Sequence, residues 1–503
     1  MHDAIAPQII LACIGLYFGL LITIAYFTSK DGGSNSDFFL AGRNSNWVLI
    51  SIGMIGSSLS GVTFVSIPGT VGNPVGIANS QFSYMQIVLG YFAGYLFIAR
   101  VLLPLYYKLN LTTIYQYLNQ RFGIYSYRSG AALFILSRVL GAAIRLFLTT
   151  YILHEFVFKS FGVSPLVTSI ISVLLIWVYT FKGGTKTIII TDVSQTVFMI
   201  LSLILSIGFI CSYLNLGIFN ILPAIQKADL GKVFFFDQGW ENPNNFFKQF
   251  LGGAFTTIAM TGLDQDMMQK NLTCKNLKEA QKNMYWFSSV LVFVNMLFLI
   301  LGALLYMYHF HKYGVVSPGI TSDSIFPYTA FNEFPPIFSI IFIIGLIAAA
   351  YSSADSAMAA LTTSICVDFL DMKEKNESAE QDLRDKKTRQ FVHIGFSVIF
   401  VFILIFFFSY NEKSVINLIL RLAGYTYGPL LGLFLFGVYT KLKPADKYVP
   451  FICLASPIIC YILAELKPGG YIFGFELGLI NALITILMLY LISNPKERYE
   501  EKA

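Results

Sequence analysis

The sequence predicts an all-α polytopic membrane protein with about thirteen transmembrane helices. The 503-residue chain is 56% hydrophobic, only 12% of its residues are charged, and its mean hydropathy is +0.66. In a soluble domain about a quarter of the residues are usually charged. The bilayer must therefore be the solvent of this chain. Apolar stretches of spanning length, about 20 residues, recur along the whole sequence and leave little room for a soluble domain.

Each predicted span is an apolar stretch bounded by polar or turn-forming residues. The stretches lie at about 8–28, 46–70, 81–108, 129–157, 164–181, 186–212, 246–270, 283–309, 336–366, 388–410, 413–438, 446–464 and 472–493. We expect the first to be a retained helix, because no positively charged segment precedes it and no small-residue cleavage site follows. These stretches predict a single transmembrane domain over residues 1–495 and a short cytoplasmic tail at 496–503.

The distribution of Lys and Arg predicts the orientation in the membrane. Most of the 34 basic residues lie in the connections that follow odd-numbered spans, which the positive-inside rule assigns to the cytoplasm. The N-terminus is therefore predicted outside and the C-terminus inside, in the cytoplasmic (inner) membrane. The two longest connections, at about 213–245 and 310–335, are predicted outside. Topology also accounts for the net charge of +6, which does not indicate a nucleic-acid partner.

Several classes of function find no support in the motifs. The glycine pair in Gly183-Gly184-Thr185-Lys186-Thr187 lacks the spacing of a nucleotide phosphate loop, which disfavours ATP-driven transport. No zinc-protease or nucleophile-elbow motif occurs and the five histidines are scattered, so we do not expect an enzyme. A sodium-conducting channel and a membrane sensor stay open as alternatives, although a sensor would be expected to carry an output domain.

The second span is unusually rich in glycine, serine and proline. Its central part reads Ile52-Gly53-Met54-Ile55-Gly56-Ser57-Ser58-Leu59-Ser60-Gly61-Val62-Thr63, followed by Ser66-Ile67-Pro68-Gly69. This composition favours a break in the helix, which frees backbone carbonyls to bind a cation and lets half-helix ends face a substrate. Close packing of small residues between helices is the alternative explanation.

The ninth span and the sixth supply oxygen ligands at membrane depth. On a helix Ser352, Asp355 and Ser356 share one face, while Ser353 points about 100° away. Hydroxyl and carboxylate oxygens are the ligands that hard cations prefer. Because oxygen-bearing side chains occupy two faces of this helix, we expect two ion sites. The serines could instead bond back to the preceding helical turn. Asp192, near the start of the sixth span, is predicted either to ligate an ion or to cap a helix end.

Charged side chains elsewhere in the spans need partners or a purpose. Arg138 and Arg145 both lie in the apolar fourth span, and each is predicted either to neutralise a structural carboxylate or to hold a substrate anion. Asp264 and Asp266 are expected to form salt links. Arg421 could be a second anion contact or half of a structural ion pair.

Three motifs together resemble the sodium/solute symporter family over about residues 8–440. They are Phe39-Leu40-Ala41-Gly42-Arg43, Gly183-Gly184 with Thr191-Asp192-Val193-Ser194-Gln195, and Ala348-Ala349-Ala350-Tyr351-Ser352-Ser353-Ala354-Asp355-Ser356. The resemblance implies a leucine-transporter-type fold of two five-helix inverted repeats, at about 46–212 and 246–438. It also implies sodium-coupled symport by alternating access.

The resemblance further implies two sodium sites and a substrate site, residue by residue. The common sodium site would be formed by Gly56, Leu59, Ala349, Ser352 and Ser353. A second sodium site, found in some members of the family, would use Asp192, Ser352, Asp355 and Ser356. Asp355 stands where one member has a serine, so the number of sodium ions, or a proton in place of one, stays open. Similarity to the bacterial sialic acid transporters of the family implies substrate contacts from Ser58, Ser60, Thr63, Phe82, Gln86 and Arg145.

The identity of the solute is open within this resemblance. An acidic sugar such as sialic acid is the leading expectation, and a neutral sugar, inositol, monocarboxylate, amino acid or vitamin are the alternatives. Arg145 aligns without gaps with the carboxylate-binding arginine when counted back from Thr191-Asp192, whereas Arg138 stays open if an insertion is allowed. The expected partners are a small-molecule substrate and the lipid bilayer, with no obligatory protein partner.

Overall fold

The computed structural model describes residues 7–28, 35–72, 80–180, 184–314, 320, 322–374, 378–409, 415–466, 471, 473–474 and 476–498. At residues 379, 415–421 and 495–498 the description covers the backbone only. Gly183 and the side chain of Arg421, both singled out in the sequence, therefore lie outside the described part.

The described chain is built almost entirely of α-helices. In chain order they are α1 (Pro7–Thr28), α2 (Asn35–Leu40), α3 (Trp47–Ser58), α4 (Gly61–Thr70), α5 (Tyr84–Phe97), α6 (Leu103–Lys108), α7 (Gln116–Arg121), α8 (Ile124–Phe156), α9 (Pro165–Thr180), α10 (Gly184–Tyr213), α11 (Ile221–Lys227), α12 (Phe246–Thr257), α13 (Gln265–Leu272), α14 (Leu277–Tyr313), α15 (Ile325–Asn332), α16 (Pro336–Ser364), α17 (Ala379–Phe408), α18 (Val415–Tyr439), α19 (Val449–Leu466) and α20 (Glu476–Leu491).

The helices confirm the predicted polytopic architecture. Within the described ranges, nine helical segments are long and apolar enough to cross a membrane, and α3 with α4 makes a tenth if the bent pair is one span. The helices α9 and α20 are apolar but shorter, and the short helices α12 and α13 lie in the seventh predicted stretch. Every predicted stretch contains one of these segments. Several helices, such as α14 and α17, begin earlier than predicted because the helix continues into charged turns beyond the apolar part.

The predicted break in the second span is confirmed. Helix α3 ends at Ser58, Leu59 and Ser60 are extended, and α4 restarts at Gly61 with a bend of 60° between the two helices. A helix that ends inside the protein leaves its last carbonyl groups without intrahelical partners. The break thus places unpaired backbone oxygens in the interior.

A second interruption lies between α12 and α13 and was not predicted. A π-helical turn at Ile258–Gly262 follows α12, and the extended Asp264 then caps α13 by accepting a hydrogen bond from the backbone N–H of Asp266 at 2.9 Å. All residues of α13 are buried. The interruption turns the polar side chains of α13 into the protein interior.

Helix α16 forms the centre of the molecule. Its residues from Gly345 to Ser364 are all buried, and it packs against α3, α4, α8 and α10. Alanine and serine dominate this stretch, which lets neighbouring backbones approach closely. The broken span therefore packs directly against the predicted ion-binding residues of α16.

The segment after α20 pairs with the α18–α19 connection. Strand β1 (Leu442–Pro444) pairs antiparallel with β2 (Ser493–Arg498), so residues 496–498 of the predicted tail lie in a strand. The two long connections also contain helices α11 and α15.

Candidate substrate and cation sites

A cavity of about 120 Å³ lies at the break between α3 and α4. Helices α5, α8, α12 and α14 complete its wall. Its lining is Ser57, Ser58, Leu59, Ser60, Val62, Thr63, Tyr84, Tyr91, Tyr95, Arg138, Arg145, Thr256, Thr257, Met260, Thr261, Met267, Leu291 and Asn295. Two arginines and many hydroxyl groups converge on this space, so the cavity can hold a polar and anionic solute.

Arg138 is neutralised by two carboxylates of the protein. Its guanidinium lies 3.6 Å from Asp264 Oδ2 and forms a very short ion pair with Asp266. The hydroxyl of Tyr427 donates to Asp264 Oδ2 at 2.5 Å, which ties α18 to the same cluster. The predicted salt links of Asp264 and Asp266 are thus confirmed, and Arg138 is their partner.

Arg145 lines the same cavity but has no such partner. It lies two turns after Arg138 on α8 and is partly buried, and among the described residues no carboxylate pairs with it. A guanidinium without a counter-ion at membrane depth is costly unless an anion visits it. The tertiary contacts therefore distinguish two arginines that the sequence left equivalent.

A stripe of tyrosines on α5 faces Arg145 across the cavity. Tyr84, Tyr91 and Tyr95 all line the space, and the hydroxyl oxygens of Tyr84 and Tyr91 lie 3.3 Å apart. The sequence analysis missed these residues. Their spacing of seven and four residues places them on one helix face, and this periodicity was the available signal.

Four of the six residues expected to contact substrate line the cavity, namely Ser58, Ser60, Thr63 and Arg145. The other two, Phe82 and Gln86, do not line it. The Gln86 amide donates to Asn244 O at 2.9 Å and to Gln249 Oε1 at 2.8 Å, while its oxygen accepts from Phe235 N at 3.0 Å.

Through these bonds the side chain of Gln86 holds the connection before α12 and the start of α12 against α5. Phe82 is 2% exposed, and its backbone N–H donates to Lys232 O at 3.1 Å in the same connection. Gln86 is two residues from Tyr84, about 200° around the helix, so the two side chains face opposite sides. The sequence pattern therefore identified α5 as a helix at the substrate site but not the face of α5 that lines the cavity.

The structure brings Gly56 and Ser352, two of the residues expected at the common sodium site, close together. A Cβ atom added at Gly56 would lie 3.1 Å from Ser352 Oγ, and one added at Gly61 would lie 3.1 Å from the Cβ of Ala350. The break at Leu59 therefore packs against the stretch of α16 that contains Ala349, Ser352 and Ser353. Open carbonyl groups at the end of α3 and serine hydroxyls of α16 are oxygen ligands of the kind that sodium requires.

The residues expected at the second sodium site also meet. Asp192 is fully buried, and its Oδ1 accepts from Ser352 Oγ at 2.6 Å while its Oδ2 accepts from Ser57 Oγ at 3.1 Å and from Ser356 Oγ at 3.4 Å. Asp355 lies behind them, where its carboxylate accepts from the Tyr179 hydroxyl at 2.9 Å.

Two features of this cluster differ from the sequence analysis. Asp192 lies inside α10 and caps no helix end, so the capping alternative was wrong. The ammonium of Lys270 reaches Asp192 Oδ2 at 2.6 Å, a contact that was not foreseen. Lys270 ends the predicted stretch at about 246–270, and the interruption before α13 directs its side chain inward.

The chain is similar to two bacterial sodium/sialic acid symporters. The sodium/sialic acid symporter NanT of Aliivibrio fischeri is 24% identical over 481 residues, which cover 94% of this chain and 91% of NanT. The sodium/sialic acid symporter SiaT of Proteus mirabilis is 24% identical over 480 residues, which cover 94% of this chain and 92% of SiaT.

The fold matches that of solved transporters. The substrate-bound outward-open structure of a Na+-coupled sialic acid symporter superposes with a TM-score of 0.81 at 22% identity, covering 96% of this chain and 97% of that one. The nucleobase-cation symporter Mhp1 in a closed conformation gives a TM-score of 0.54 at 11% identity over 91% of this chain and 94% of Mhp1. The expected leucine-transporter-type fold is confirmed. Residues 38–444 match the sodium:solute symporter family, and the chain belongs to that family.

Proposed function

We propose that this protein is a sodium-coupled symporter that imports an acidic sugar, such as sialic acid, by alternating access. The observation that carries the proposal is Arg145, a guanidinium in the cavity at the broken helix that lacks a carboxylate partner among the described residues. A planar guanidinium binds a carboxylate through two parallel hydrogen bonds. The names of the relatives NanT and SiaT support the same class of solute.

The rest of the cavity suits a solute with several hydroxyl groups. Ser58, Ser60, Thr63 and the tyrosines of α5 present hydroxyl oxygens that donate and accept hydrogen bonds. Asn295 adds an amide on the opposite wall. A hydroxyl-rich cavity with one unpaired cation fits a polyhydroxylated monovalent acid better than a neutral sugar or a simple monocarboxylate.

Coupling follows from the contact between the broken span and α16. A sodium ion held by carbonyls at Gly56 and Leu59 and by the hydroxyls of Ser352 and Ser353 would fix the break against α16. The same break shapes the substrate cavity, so sodium would favour the substrate-competent state, as coupling requires. Each sodium ion contributes about 2.3 kcal/mol per 100 mV and about 1.4 kcal/mol per tenfold gradient.

The protein would act in the inner membrane with its N-terminus outside, on a small-molecule solute, without catalysing a chemical reaction. This orientation rests on the basic residues in the connections that follow odd-numbered predicted spans.

The test is the uptake of labelled sialic acid into proteoliposomes under an inward sodium gradient. Arg145→Gln should raise the KM for sialic acid roughly 10- to 100-fold, because a charge-assisted hydrogen bond is lost. Arg128→Gln is the matched control, since Arg128 lies on the same helix, is exposed, and is outside the cavity. The control should transport like the unchanged protein.

Competition by neutral sugars, amino acids and short monocarboxylates completes the test. Sodium-dependent uptake of a neutral sugar that is insensitive to Arg145→Gln would contradict the role of Arg145. Equal loss of solute transport and of sodium-dependent stabilisation in Arg145→Gln would identify a structural arginine instead.

A further inference from the structure

A lysine lies inside the oxygen cluster expected to bind the second sodium ion. Lys270 belongs to the last turn of α13 and is only 3% exposed. Its ammonium donates to Asp192 Oδ2 and to Ser356 Oγ, both at 2.6 Å, and makes a very short contact with Ser57 Oγ. An ammonium group has three N–H donors, so each has an oxygen acceptor.

The oxygens that hold this ammonium are ones that a second sodium ion would need. Asp192 and Ser356 belong to the ligand set implied by the family resemblance, and both accept from Lys270. Two cations cannot occupy one set of oxygens, since each would lose ligands and repel the other. The charge of Asp192 is therefore balanced by the protein itself.

The remaining charge of the cluster corresponds to one more cation. Asp355 accepts hydrogen bonds from the Tyr179 hydroxyl at 2.9 Å and from the backbone N–H of Ser356 at 2.5 Å, and no described Lys or Arg pairs with it. Asp192, Asp355 and Lys270 together carry a formal charge of −1. One sodium ion neutralises this sum, whereas two would leave a positive charge in a buried region.

We infer that Lys270 is a tethered cation that takes the place of the second sodium ion, so that one sodium ion is coupled to each solute molecule. The inference rests on the proposed sodium-coupled function and specifies its stoichiometry. With a monovalent acidic sugar, the transport cycle then moves no net charge across the membrane.

The first experiment measures stoichiometry in proteoliposomes with labelled sodium and labelled sialic acid. We expect about one sodium ion per solute molecule. The steady-state accumulation of solute should not change when potassium and valinomycin set an inside-negative membrane potential. A ratio of about two, with accumulation that rises with the potential, would overturn the inference.

The second experiment titrates sodium against the thermal stability of purified protein without solute. The unchanged protein and Lys270→Arg should give a Hill coefficient of about 1, and Lys270→Met should give a coefficient above 1 and at most about 2, because removing the ammonium opens the oxygen cluster to a second sodium ion. A lower Tm of Lys270→Met with an unchanged Hill coefficient would mean a purely structural ion pair. A coefficient of about 2 in the unchanged protein would equally refute the inference, even if Lys270→Met does not fold.

The two measurements separate this inference from the proposed function. The sodium titration needs no solute, so it measures sodium binding independently of solute binding. A rise in the Hill coefficient in Lys270→Met without any uptake of acidic sugars would contradict the proposed solute and support the tethered cation.

Discussion

Arg138 and Arg145 show how neighbouring residues of one type acquire different roles. They are seven residues apart on α8, face the same cavity, and lie in equally apolar sequence. Arg138 pairs with Asp264 and Asp266, which the interruption between α12 and α13 presents to it, whereas Arg145 has no carboxylate partner among the described residues. The two arginines occupy similar positions in the span but differ in their partners. The partners therefore mark Arg138 as a structural cation and Arg145 as a candidate substrate-binding cation.

Replacing Arg138 tests this distinction. Arg138→Met should lower the free energy of unfolding by about 3 to 5 kcal/mol, because it leaves Asp264 and Asp266 buried without their cation. The measurement is the Tm of purified protein, with Arg128→Met on the exposed side of α8 as control. Adding Asp266→Asn to Arg138→Met should recover part of the loss. A Tm equal to that of the control would contradict the ion-pair role.

At the scale of helices, the broken span packs closely against its neighbours at Gly56. Gly56 brings α3 against α10 and α16 at once, because a Cβ there would lie 2.3 Å from Thr196 Oγ1 and 3.1 Å from Ser352 Oγ. Thr196 is itself fixed by hydrogen bonds to Ile52 O at 2.9 Å and Asp192 O at 2.7 Å. The end of α3 that is proposed to bind sodium therefore depends on a backbone approach that only glycine permits.

Gly56→Ala should accordingly weaken both stability and sodium binding. Displacing Thr196 is expected to cost about 1 to 3 kcal/mol, and the apparent affinity for sodium should fall roughly tenfold. Sodium-dependent thermal stabilisation measures both effects. Gly208→Ala on α10 is the control, since a Cβ there meets nothing within 4 Å. The double variant Gly56→Ala with Thr196→Ala should recover part of the loss, and the absence of recovery would contradict the packing explanation.

At the scale of the whole molecule, one end gathers the connections that carry many basic residues. Asp446 in the α18–α19 connection accepts from the backbone N–H of Ser126 at 2.8 Å at the start of α8, and β2 pairs with β1 beside it. Arg121 donates to Thr440 O at 2.7 Å at the end of α18. The positive-inside rule assigns this end to the cytoplasm.

Labelling of single cysteines tests the orientation. Gly239→Cys, in the long connection before α12, should react with a membrane-impermeant maleimide in intact cells, because this exposed residue is predicted outside. Lys447→Cys is also exposed but should react only after permeabilisation. The unchanged chain controls for its six native cysteines. The reverse pattern would invert the topology.

The sequence by itself determined the membrane class, the order of the helical segments, the break in the second span and the family. These properties follow from local composition, since a bilayer demands runs of apolar residues and a broken helix demands glycine, serine or proline within one. It also placed Asp192, Ser352, Asp355 and Ser356 among the candidate ion ligands, because oxygen-bearing side chains are costly at that depth.

Only the tertiary structure decided which side chains meet. It paired Arg138 with Asp264 and Asp266, turned Gln86 away from the cavity, and brought Lys270 onto Asp192. Each of these outcomes depends on contacts between residues from 78 to 163 positions apart, which the periodicity of a single helix does not encode. The charge of a buried site is a sum over several helices, and so it is fixed only when those helices pack.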